Sequence, residues 1–360
     1  MKIAIVLGTR PDIIKMSPII KECEKKKIEY FVIHTGQHYS RELDKVFFEE
    51  LELVQPKYNI GVGSGTHGTQ TGKMLAEIEN ILIQEKPDMI FVHGDTNSAL
   101  AGALAASKLG IKIGHIEAGL RSYDRTMPEE INRVLTDHVS DYLFVPTEKA
   151  EKNALKEGIE KIKIFTTGNT IVDAVHQYVK IADKKASILK ELGLEEKKYI
   201  LVTAHRPSNV DEIVSLSNLL NGFEKIYEKF KLPIIFPIHP RTEKMIKTLG
   251  LKIPEGTNLI KPVGFLECLQ LEKNAKLILT DSGGVQEEAC ILNVPSVTLR
   301  ENTERPETLD VGASILAGNN SNKMLDAAIE MISKENKWEN PFGDGKAAEK
   351  IINISLGSIN

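Results

Sequence analysis

Two acidic side chains follow short apolar segments in the first half of the chain. Asp95 lies in a His-Gly-Asp-Thr segment, and Glu117 lies in an Ile-Glu-Ala-Gly-Leu-Arg segment. If the two apolar segments are adjacent parallel strands, both carboxylates emerge at the same edge of the sheet. Burial and mutual repulsion would then separate their pKa values, which suits an acid–base pair. The alternative for Asp95 is a cap on the helix predicted to follow it.

A third carboxylate, Glu129, lies in a Pro-Glu-Glu-Ile-Asn-Arg segment that predicts a helix with proline in its first turn. The spacing places Ile131, Val134 and Leu135 on one face, which we expect to pack inward. Glu129 and Arg133 are four residues apart and should lie near each other on the opposite side. The alternative is a surface ion pair worth a few tenths of a kcal/mol.

A Gly-Gly pair between an apolar strand and a helix predicts an anion site in the second half. Ser282, Gly283 and Gly284 occupy this turn, and Glu288 follows just over one helical turn later. Backbone N–H groups and the helix dipole at such a turn suit a phosphate or diphosphate, and Glu288 could accept hydrogen bonds from a ribose diol. The alternative is a tight turn followed by a solvated acidic turn. The segment is neither GxGxxG nor a Walker loop, which disfavours ordinary NAD and ATP sites.

Basic side chains also lie at or near the junctions between a strand and the helix that follows it. Arg10 and Lys15 flank the first strand–helix junction, His205 occupies the corresponding junction in the second half, and Arg305 lies in a late Thr-Glu-Arg-Pro-Glu loop. These positions suit contacts with an anionic substrate. Each residue alone is also compatible with a solvated or structural role.

The elements that must position these residues alternate between short apolar runs and longer amphipathic segments, which is typical of a parallel sheet with crossover helices. A strand followed by Thr-Arg-Pro at residues 2–11 is echoed by a strand followed by His-Arg-Pro at residues 199–207. We therefore predict two doubly wound domains, 1–168 and 169–342, facing one cleft. The predicted strands are 2–7, 30–35, 89–93, 112–116, 142–145, 163–167, 199–203, 234–238, 277–280 and 294–299.

Composition excludes several other classes. The chain has 360 residues with 46 Lys plus Arg and 50 Asp plus Glu, giving a net charge of −4, so a nucleic-acid partner or an anionic membrane is not expected. Three distant cysteines without a CxxC pair favour a reducing compartment and no cysteine-based metal site. The apolar runs are too short to span a bilayer or to form a signal peptide. We expect a cytoplasmic protein without a metal.

The ordered motifs resemble those of the non-hydrolysing UDP-N-acetylglucosamine 2-epimerases along nearly the whole chain. The resemblance implies a glycosyltransferase-B-like α/β fold, in which two Rossmann-like domains of doubly wound parallel sheet face a central cleft and a C-terminal segment, here 343–360, packs back on the first domain. The matching segments are Gly-Thr-Arg-Pro (8–11) with Lys15, Val-His-Gly-Asp-Thr (92–96), Ile-Glu-Ala-Gly-Leu-Arg (116–121), Pro-Glu-Glu-Ile-Asn-Arg (128–133), Gly-Asn-Thr-Ile-Val-Asp (168–173), His-Arg (205–206), Thr-Asp-Ser-Gly-Gly-Val-Gln-Glu-Glu (280–288) and Thr-Glu-Arg-Pro-Glu (303–307).

The resemblance implies reversible inversion at C2 of UDP-GlcNAc to give UDP-ManNAc, through elimination of UDP to 2-acetamidoglucal and readdition. It implies no cofactor, a homodimer, and a supply of ManNAc units for a surface polysaccharide or glycoprotein. Gln37 and His38 resemble part of an effector surface for a second UDP-GlcNAc. The implied catalytic residues are Asp95, Glu117, Glu129 and His205; the implied substrate contacts are Arg10, Lys15, Arg133, Ser282, Gly283, Gly284, Glu288 and Arg305.

The sequence also departs from the family pattern. Pro207-Ser208-Asn209 follows the His-Arg pair, and Val263 and Cys268 stand where a glutamine and an aromatic residue near the uracil are expected. These differences put effector sensitivity in doubt, and the sequence does not settle which carboxylate is the base. Four alternatives stay open: a glycosyltransferase of the same fold, a hydrolysing epimerase, an epimerase of a diacetamido sugar, and a non-catalytic nucleotide-sugar sensor.

Overall fold

The computed structural model describes residues 1–36 and 47–357. The chain forms two compact units. Unit 1 contains residues 1–174 together with the C-terminal residues from Phe342 onward, and unit 2 contains Val175–Pro341.

Unit 1 is built on a parallel sheet of seven strands in the order β3-β2-β1-β4-β5-β6-β7. The order 3-2-1-4-5-6 is that of a doubly wound nucleotide-binding fold, and its chain reversal beside β1 is where such folds bind ligands. The strands are β1 Lys2–Leu7, β2 Glu29–His34, β3 Tyr58–Asn59, β4 Met89–His93, β5 Lys112–Ile116, β6 Tyr142–Val145 and β7 Ile164–Thr166.

The helices of unit 1 cover both faces of this sheet, so its central strands are buried on both sides. Small side chains let one helix, Asn97–Leu109, approach the strands closely: a Cβ on Gly102 would lie 3.1 Å from Val92. The helices are α1 Arg10–Lys25, α2 His67–Glu85, α3 Asn97–Leu109, α4 Pro128–Val139, α5 Glu148–Lys156, the 3-10 turn Lys161–Lys163, α6 Thr170–Lys185, which runs on into unit 2, and the C-terminal Ala347–Gly357.

Unit 2 repeats the arrangement with six parallel strands in the order β10-β9-β8-β11-β12-β13. Its strands are β8 Ile200–Thr203, β9 Ile234–Pro237, β10 Thr257–Ile260, β11 Leu277–Thr280, β12 Ser296–Thr298 and β13 Ser314–Leu316. Its helices are α7 Ile188–Glu191, α8 Pro207–Val210, α9 Ile213–Phe230, α10 Pro240–Thr248, α11 Phe265–Asn274, α12 Gly283–Ile291, α13 Pro306–Asp310 and α14 Ser321–Ser333; the C-terminal helix of unit 1 is α15.

The two Rossmann-like parallel sheets confirm the predicted fold class. All ten predicted strands are present, and five of them have the predicted bounds. The three strands that the sequence did not predict, β3, β10 and β13, each lie at an edge of a sheet. Edge strands are half-solvated, so their mixed polar and apolar residues lack the continuous apolar run that identifies a central strand. Among the described helices, none is long and apolar enough to cross a membrane.

The C-terminal helix packs on α1 within unit 1. The amide of Asn169 donates to the carbonyl oxygen of Phe342 at 2.8 Å. The carboxylate of Asp173 accepts from the amides of Ala347 at 3.2 Å and Ala348 at 3.0 Å. Asp173 therefore satisfies N–H groups at the start of α15 that have no partner inside the helix.

Replacing Asp173 by Ala should lower the free energy of unfolding by about 1 kcal/mol, the usual cost of removing an N-terminal helix cap. Asp173→Asn is the control, because its amide oxygen still accepts a hydrogen bond. Urea unfolding followed by circular dichroism measures both changes. Equal midpoints for wild type and Asp173→Ala would show that this cap does not stabilise the fold.

Candidate active site

The turn after β1 is fixed by a capping box at the start of α1. The amides of Gly8 and Thr9 both donate to Oδ2 of Asp12 at 3.1 Å, while the amide of Asp12 faces the hydroxyl of Thr9 at 3.5 Å. The other oxygen of Asp12 is thereby left to accept from the end of β4. Arg10, the first residue of α1, lies 5.5 Å from the ring centre of Phe47.

His93, the last residue of β4, lies between two carboxylates. Its Nδ1 is 3.2 Å from Asp12 and its Nε2 is 3.4 Å from Glu117. Burial alone lowers the pKa of His93, but the hydrogen bonds and negative charges of Asp12 and Glu117 outweigh burial and raise that pKa to about 9. The ring is therefore cationic at neutral pH and stabilises the carboxylate of Glu117.

Glu117 stands just beyond β5 in the left-handed region, with φ of +64°. A non-glycine residue adopts this conformation at a cost that the surrounding structure must offset, and such residues are common at functional sites. Here the offset includes a buried ion pair, because Nζ of Lys15 lies 2.5 Å from the Glu117 carboxylate. Only 9 % and 7 % of the two side chains are exposed. The predicted site residues Lys15 and Glu117 are thus in direct contact as an ion pair.

Asp95 lies one strand away on the same sheet edge and pairs with a different cation. Arg133 of α4 donates to the Asp95 carboxylate at 2.5 Å, and Asn132 donates to the Asp95 carbonyl oxygen at 2.9 Å. The helix-cap alternative for Asp95 is wrong, because the hydroxyl of Thr96 caps α3. Asp95 and Glu117 are thus each paired with a basic side chain at the same edge of the sheet.

The predicted Glu129–Arg133 pair is wrong. Arg133 pairs with Glu130 at 2.8 Å, and Glu129 is exposed. Burial raises the pKa of Glu130, but the amide and hydroxyl of Ser122, the amide of Tyr123 and the Arg133 guanidinium together hold that pKa below its ordinary value.

The predicted inward face of α4 is also wrong. Ile131 and Leu135 are 41 % and 45 % exposed, whereas Glu130, Asn132 and Asp137 are buried. The buried face is polar because its side chains hold the loops of the sheet edge, which apolar side chains could not do. Periodicity located the two faces of this helix and assigned them the wrong way round.

In unit 2, Asp281 organises the corresponding edge. This buried carboxylate accepts from the amides of His205 at 3.0 Å and Arg206 at 2.9 Å and from the side chain of Asn209 at 3.0 Å. Its Oδ1 also lies 3.1 Å from Nδ1 of His205, whose side chain is 48 % exposed. Burial raises the pKa of Asp281, but these donors outweigh burial and hold that pKa below its ordinary value. His205 is therefore an exposed ring oriented by a buried acid.

The Gly-Gly turn has the geometry predicted for an anion site. Ser282 is the N-cap of α12, and its hydroxyl accepts from the amide of Val285 at 3.4 Å. A Cβ on Gly283 or Gly284 would come no closer than 3.8 Å to another atom outside the adjacent residues, so the turn leaves room beside the helix N-terminus. Uncrowded amides at the positive end of a helix dipole suit a phosphate group.

Glu288 is buried on α12 and belongs to an acidic cluster that the sequence did not reveal. Sγ of Cys268 donates to Glu272 at 3.2 Å. Burial and the neighbouring charge of Glu288 raise the pKa of Glu272 well above its usual range. This shift favours the protonated form of Glu272, which reduces the repulsion between two neighbouring carboxyl groups in the core.

The last predicted cation, Arg305, forms an ion pair with the buried Glu287 of α12 at 2.6 Å. Gln37 and His38 lie outside the described residues.

Sequence reasoning assigned no role to Asp12, His93, Glu130, Asp281 or Glu272. The motifs contain three of these five residues, His93, Glu130 and Asp281, but single polar letters give no sign that they are buried. Within the described ranges, no cluster of three or more His, Cys, Asp or Glu side chains could hold a metal ion.

The two sheets and their polar edges define a glycosyltransferase-B-like protein made of two Rossmann-like units. The family model for UDP-N-acetylglucosamine 2-epimerase matches residues 21–356. The chain therefore belongs to the UDP-N-acetylglucosamine 2-epimerase family, and the resemblance seen in the motifs is confirmed.

Individual relatives match over their full length. The UDP-N-acetylglucosamine 2-epimerase of Methanocaldococcus jannaschii is 58 % identical over 98 % of both chains. A crystal structure of the M. jannaschii UDP-GlcNAc 2-epimerase in complex with UDP-GlcNAc and UDP matches 99 % of this chain and 100 % of its own with a TM-score of 0.90. A UDP-2,3-diacetamido-2,3-dideoxy-D-glucuronate 2-epimerase of Pseudomonas aeruginosa is 41 % identical over 98 % of both chains.

The charge on His93 should make stability depend on pH. Its pKa is about 9 when folded, against an ordinary value of 6.5, so the stabilisation is fully present below pH 6.5 and is lost as the pH rises through 9. The difference in unfolding free energy between wild type and His93→Gln should shrink by about 3 kcal/mol between pH 6 and pH 10, at 1.36 kcal/mol per pKa unit.

Urea unfolding at several pH values measures this difference. His176→Gln, which replaces an exposed histidine, is the matched control. A wild-type advantage that stays constant with pH would contradict a charged His93 between Asp12 and Glu117.

Proposed function

We propose that this protein is an isomerase that interconverts UDP-GlcNAc and UDP-ManNAc by inverting C2. The observation that carries the proposal is the sheet edge of unit 1, where Asp95 and Glu117 follow neighbouring strands and each is paired with a cation. The 58 % identity to the M. jannaschii enzyme over nearly the whole chain supports the same substrate.

The chemistry explains why such an edge is needed. The C2 hydrogen of UDP-GlcNAc is not next to a carbonyl group, so direct deprotonation is not feasible. In the proposed route a base removes that proton while the C1–O bond breaks and the electron pair leaves with UDP, giving 2-acetamidoglucal. UDP then adds back at C1 while an acid protonates C2 from the opposite face. Both half-reactions need proton transfer by a positioned side chain.

We assign proton transfer to the three carboxylates Asp95, Glu117 and Glu129, with His205 as a further catalytic residue. Ser282, Gly283 and Gly284 are assigned to the diphosphate, because a helix N-terminus stabilises the departing anion. Glu288 is assigned to the ribose diol, whose hydroxyl groups its carboxylate could accept hydrogen bonds from. Arg10, Lys15, Arg133 and Arg305 are the remaining proposed contacts with the nucleotide sugar. The route uses no cofactor.

The test is incubation of the purified protein with UDP-GlcNAc in D₂O, followed by NMR of the anomeric protons. We expect UDP-ManNAc with deuterium at C2, because solvent exchanges with the proton carried by the enzyme. Asp95→Asn and Glu117→Gln should each lower kcat on the order of 100-fold or more, which is typical for loss of an acid–base group. Glu148→Gln, on the exposed first turn of α5, is the matched control and should leave kcat unchanged.

Each other outcome identifies a different reaction. Free ManNAc with UDP would indicate a hydrolysing enzyme, and turnover only with an added acceptor would indicate a glycosyltransferase. Normal turnover by folded Asp95→Asn, Glu117→Gln and Glu129→Gln variants would overturn the catalytic assignment.

One relative favours a second candidate substrate. The 41 % identity to the P. aeruginosa enzyme supports trial of a UDP-diacetamido uronate in the same assay. Turnover of this sugar with none of UDP-GlcNAc would reassign the substrate while leaving the C2 chemistry in place.

We also propose that the chain forms a homodimer, as its family resemblance implies. Light scattering after size exclusion should give twice the chain mass of 40.0 kDa. A mass of one chain at micromolar concentration would contradict the dimer.

A further inference from the structure

A buried histidine joins the two turns that carry Asp95 and Glu117. His115 lies on β5, two residues before Glu117, and is fully buried. Its Nε2 is 2.8 Å from the carbonyl oxygen of Gly94, the residue before Asp95. Its Nδ1 is 2.6 Å from the buried carboxylate of Asp137 on α4. One imidazole ring therefore spans from the Asp95 turn to α4.

Asp137 in turn binds the turn that carries Glu117. Its Oδ2 accepts from the amide of Gly119 at 3.1 Å and from the guanidinium of Arg121 at 2.7 Å. Arg121 in turn binds Glu157 through two nitrogens, at 2.8 and 2.6 Å. His138, 3.8 Å from Glu157, is the other titratable group at this end of the network.

The Glu117 turn needs such support, because Glu117 is a non-glycine residue in the left-handed region. Gly94 has φ of +64°, and Glu117 and Gly119 have φ of +64° and +76°. At Gly119 a Cβ would collide with the carbonyl oxygen of Ala150, so the turn is tightly packed as well. A turn of this kind holds its shape only where its surroundings fix it.

The hydrogen-bond partners define how the ring acts. A carbonyl oxygen and a carboxylate are both acceptors, so each ring nitrogen of His115 faces an acceptor. Asp137 also accepts from Arg121 and from the amide of Gly119, so this buried carboxylate has a partner on both of its oxygens. Groups buried in this way are rigid, because an unpaired member would be costly.

We propose that His115, acting through Asp137 and Gly94, is a positioning residue that sets the separation of the Asp95 and Glu117 carboxylates for proton transfer at C2. The inference rests on the proposed epimerase function. His115 touches neither the substrate nor a reacting atom, so its loss should slow the chemical step and leave nucleotide binding in place.

Two near-isosteric variants each remove one of the two contacts of the His115 ring and keep the other. In His115→Asn the amide nitrogen replaces Nδ1, so the contact with Asp137 is kept and the bond to Gly94 is lost. In His115→Gln the amide nitrogen replaces Nε2, so the bond to Gly94 is kept and the contact with Asp137 is lost. We expect both to lower kcat on the order of 10- to 100-fold, as small displacements of catalytic groups do. KM for UDP-GlcNAc and Kd for UDP should change less than about twofold, since binding of the nucleotide does not depend on the separation of the two carboxylates.

Ile113→Ala is the matched control, because Ile113 is buried on the same strand and contacts neither turn through hydrogen bonds. It should lower the thermal midpoint and keep kcat when assayed well below that midpoint. An equal loss of kcat in Ile113→Ala would show that the His115 variants act only through stability, which overturns the inference. If neither His115 variant folds, Glu157→Gln decides, because it removes the charge that Arg121 binds, at a side chain that is 27 % exposed. An unchanged kcat in that variant also overturns the inference.

The same assays separate the two hypotheses. Wild-type turnover with full kcat in both His115 variants overturns the positioning role and leaves the epimerase function standing. No wild-type turnover of either sugar overturns both.

Discussion

The pairing of buried charges at the carboxyl edge of the first sheet is the constraint on which the arrangement of unit 1 depends. Glu117 leaves β5 with a left-handed backbone and places its carboxylate where almost no water reaches it. A carboxylate in such a place costs several kcal/mol unless cations and donors surround it. Lys15 from α1 and His93 from β4 supply those cations. Three elements of the fold are thereby fixed relative to one side chain.

The same order of strands performs different work in the two units. In unit 1 the polar edge consists of carboxylates held by cations, an arrangement suited to proton transfer. In unit 2 the edge consists of the open N-terminus of α12 and of amides gathered by Asp281, an arrangement suited to an anion. Both sheets have buried apolar strands, and the two edges differ in the residues just beyond the strand ends. A doubly wound sheet allows this, because its strand-end loops vary without disturbing the core.

The sequence predicted the central strands well for a physical reason. Strands covered on both faces need continuous apolar residues, and β1, β4 and β11 have them with the predicted bounds. The edge strands β3, β10 and β13 were missed because half-solvated strands carry polar residues. The motifs located Asp95 and Glu117 at strand ends and Lys15 beside the first strand–helix junction, yet spacing along the chain could not show that Lys15 meets Glu117 across 102 residues. Long-range partners are set by the sheet order, which local patterns do not contain.

Helix α4 shows where periodicity fails in principle. A hydrophobic period reports that a helix has two unlike faces, and the usual inference that the apolar face is buried rests on the cost of burying polar groups. That cost vanishes when each buried polar group has a partner. Glu130 accepts three hydrogen bonds from Ser122 and Tyr123 and pairs with the charge of Arg133. Asp137 contacts the ring of His115 and accepts hydrogen bonds from Arg121 and from the amide of Gly119. The polar face is therefore the one that the fold requires inside, because the loops carrying Asp95 and Glu117 present amides and carbonyl groups that only polar side chains can satisfy. A helix beside a polar sheet edge is thus a place where the rule of apolar burial should be expected to reverse.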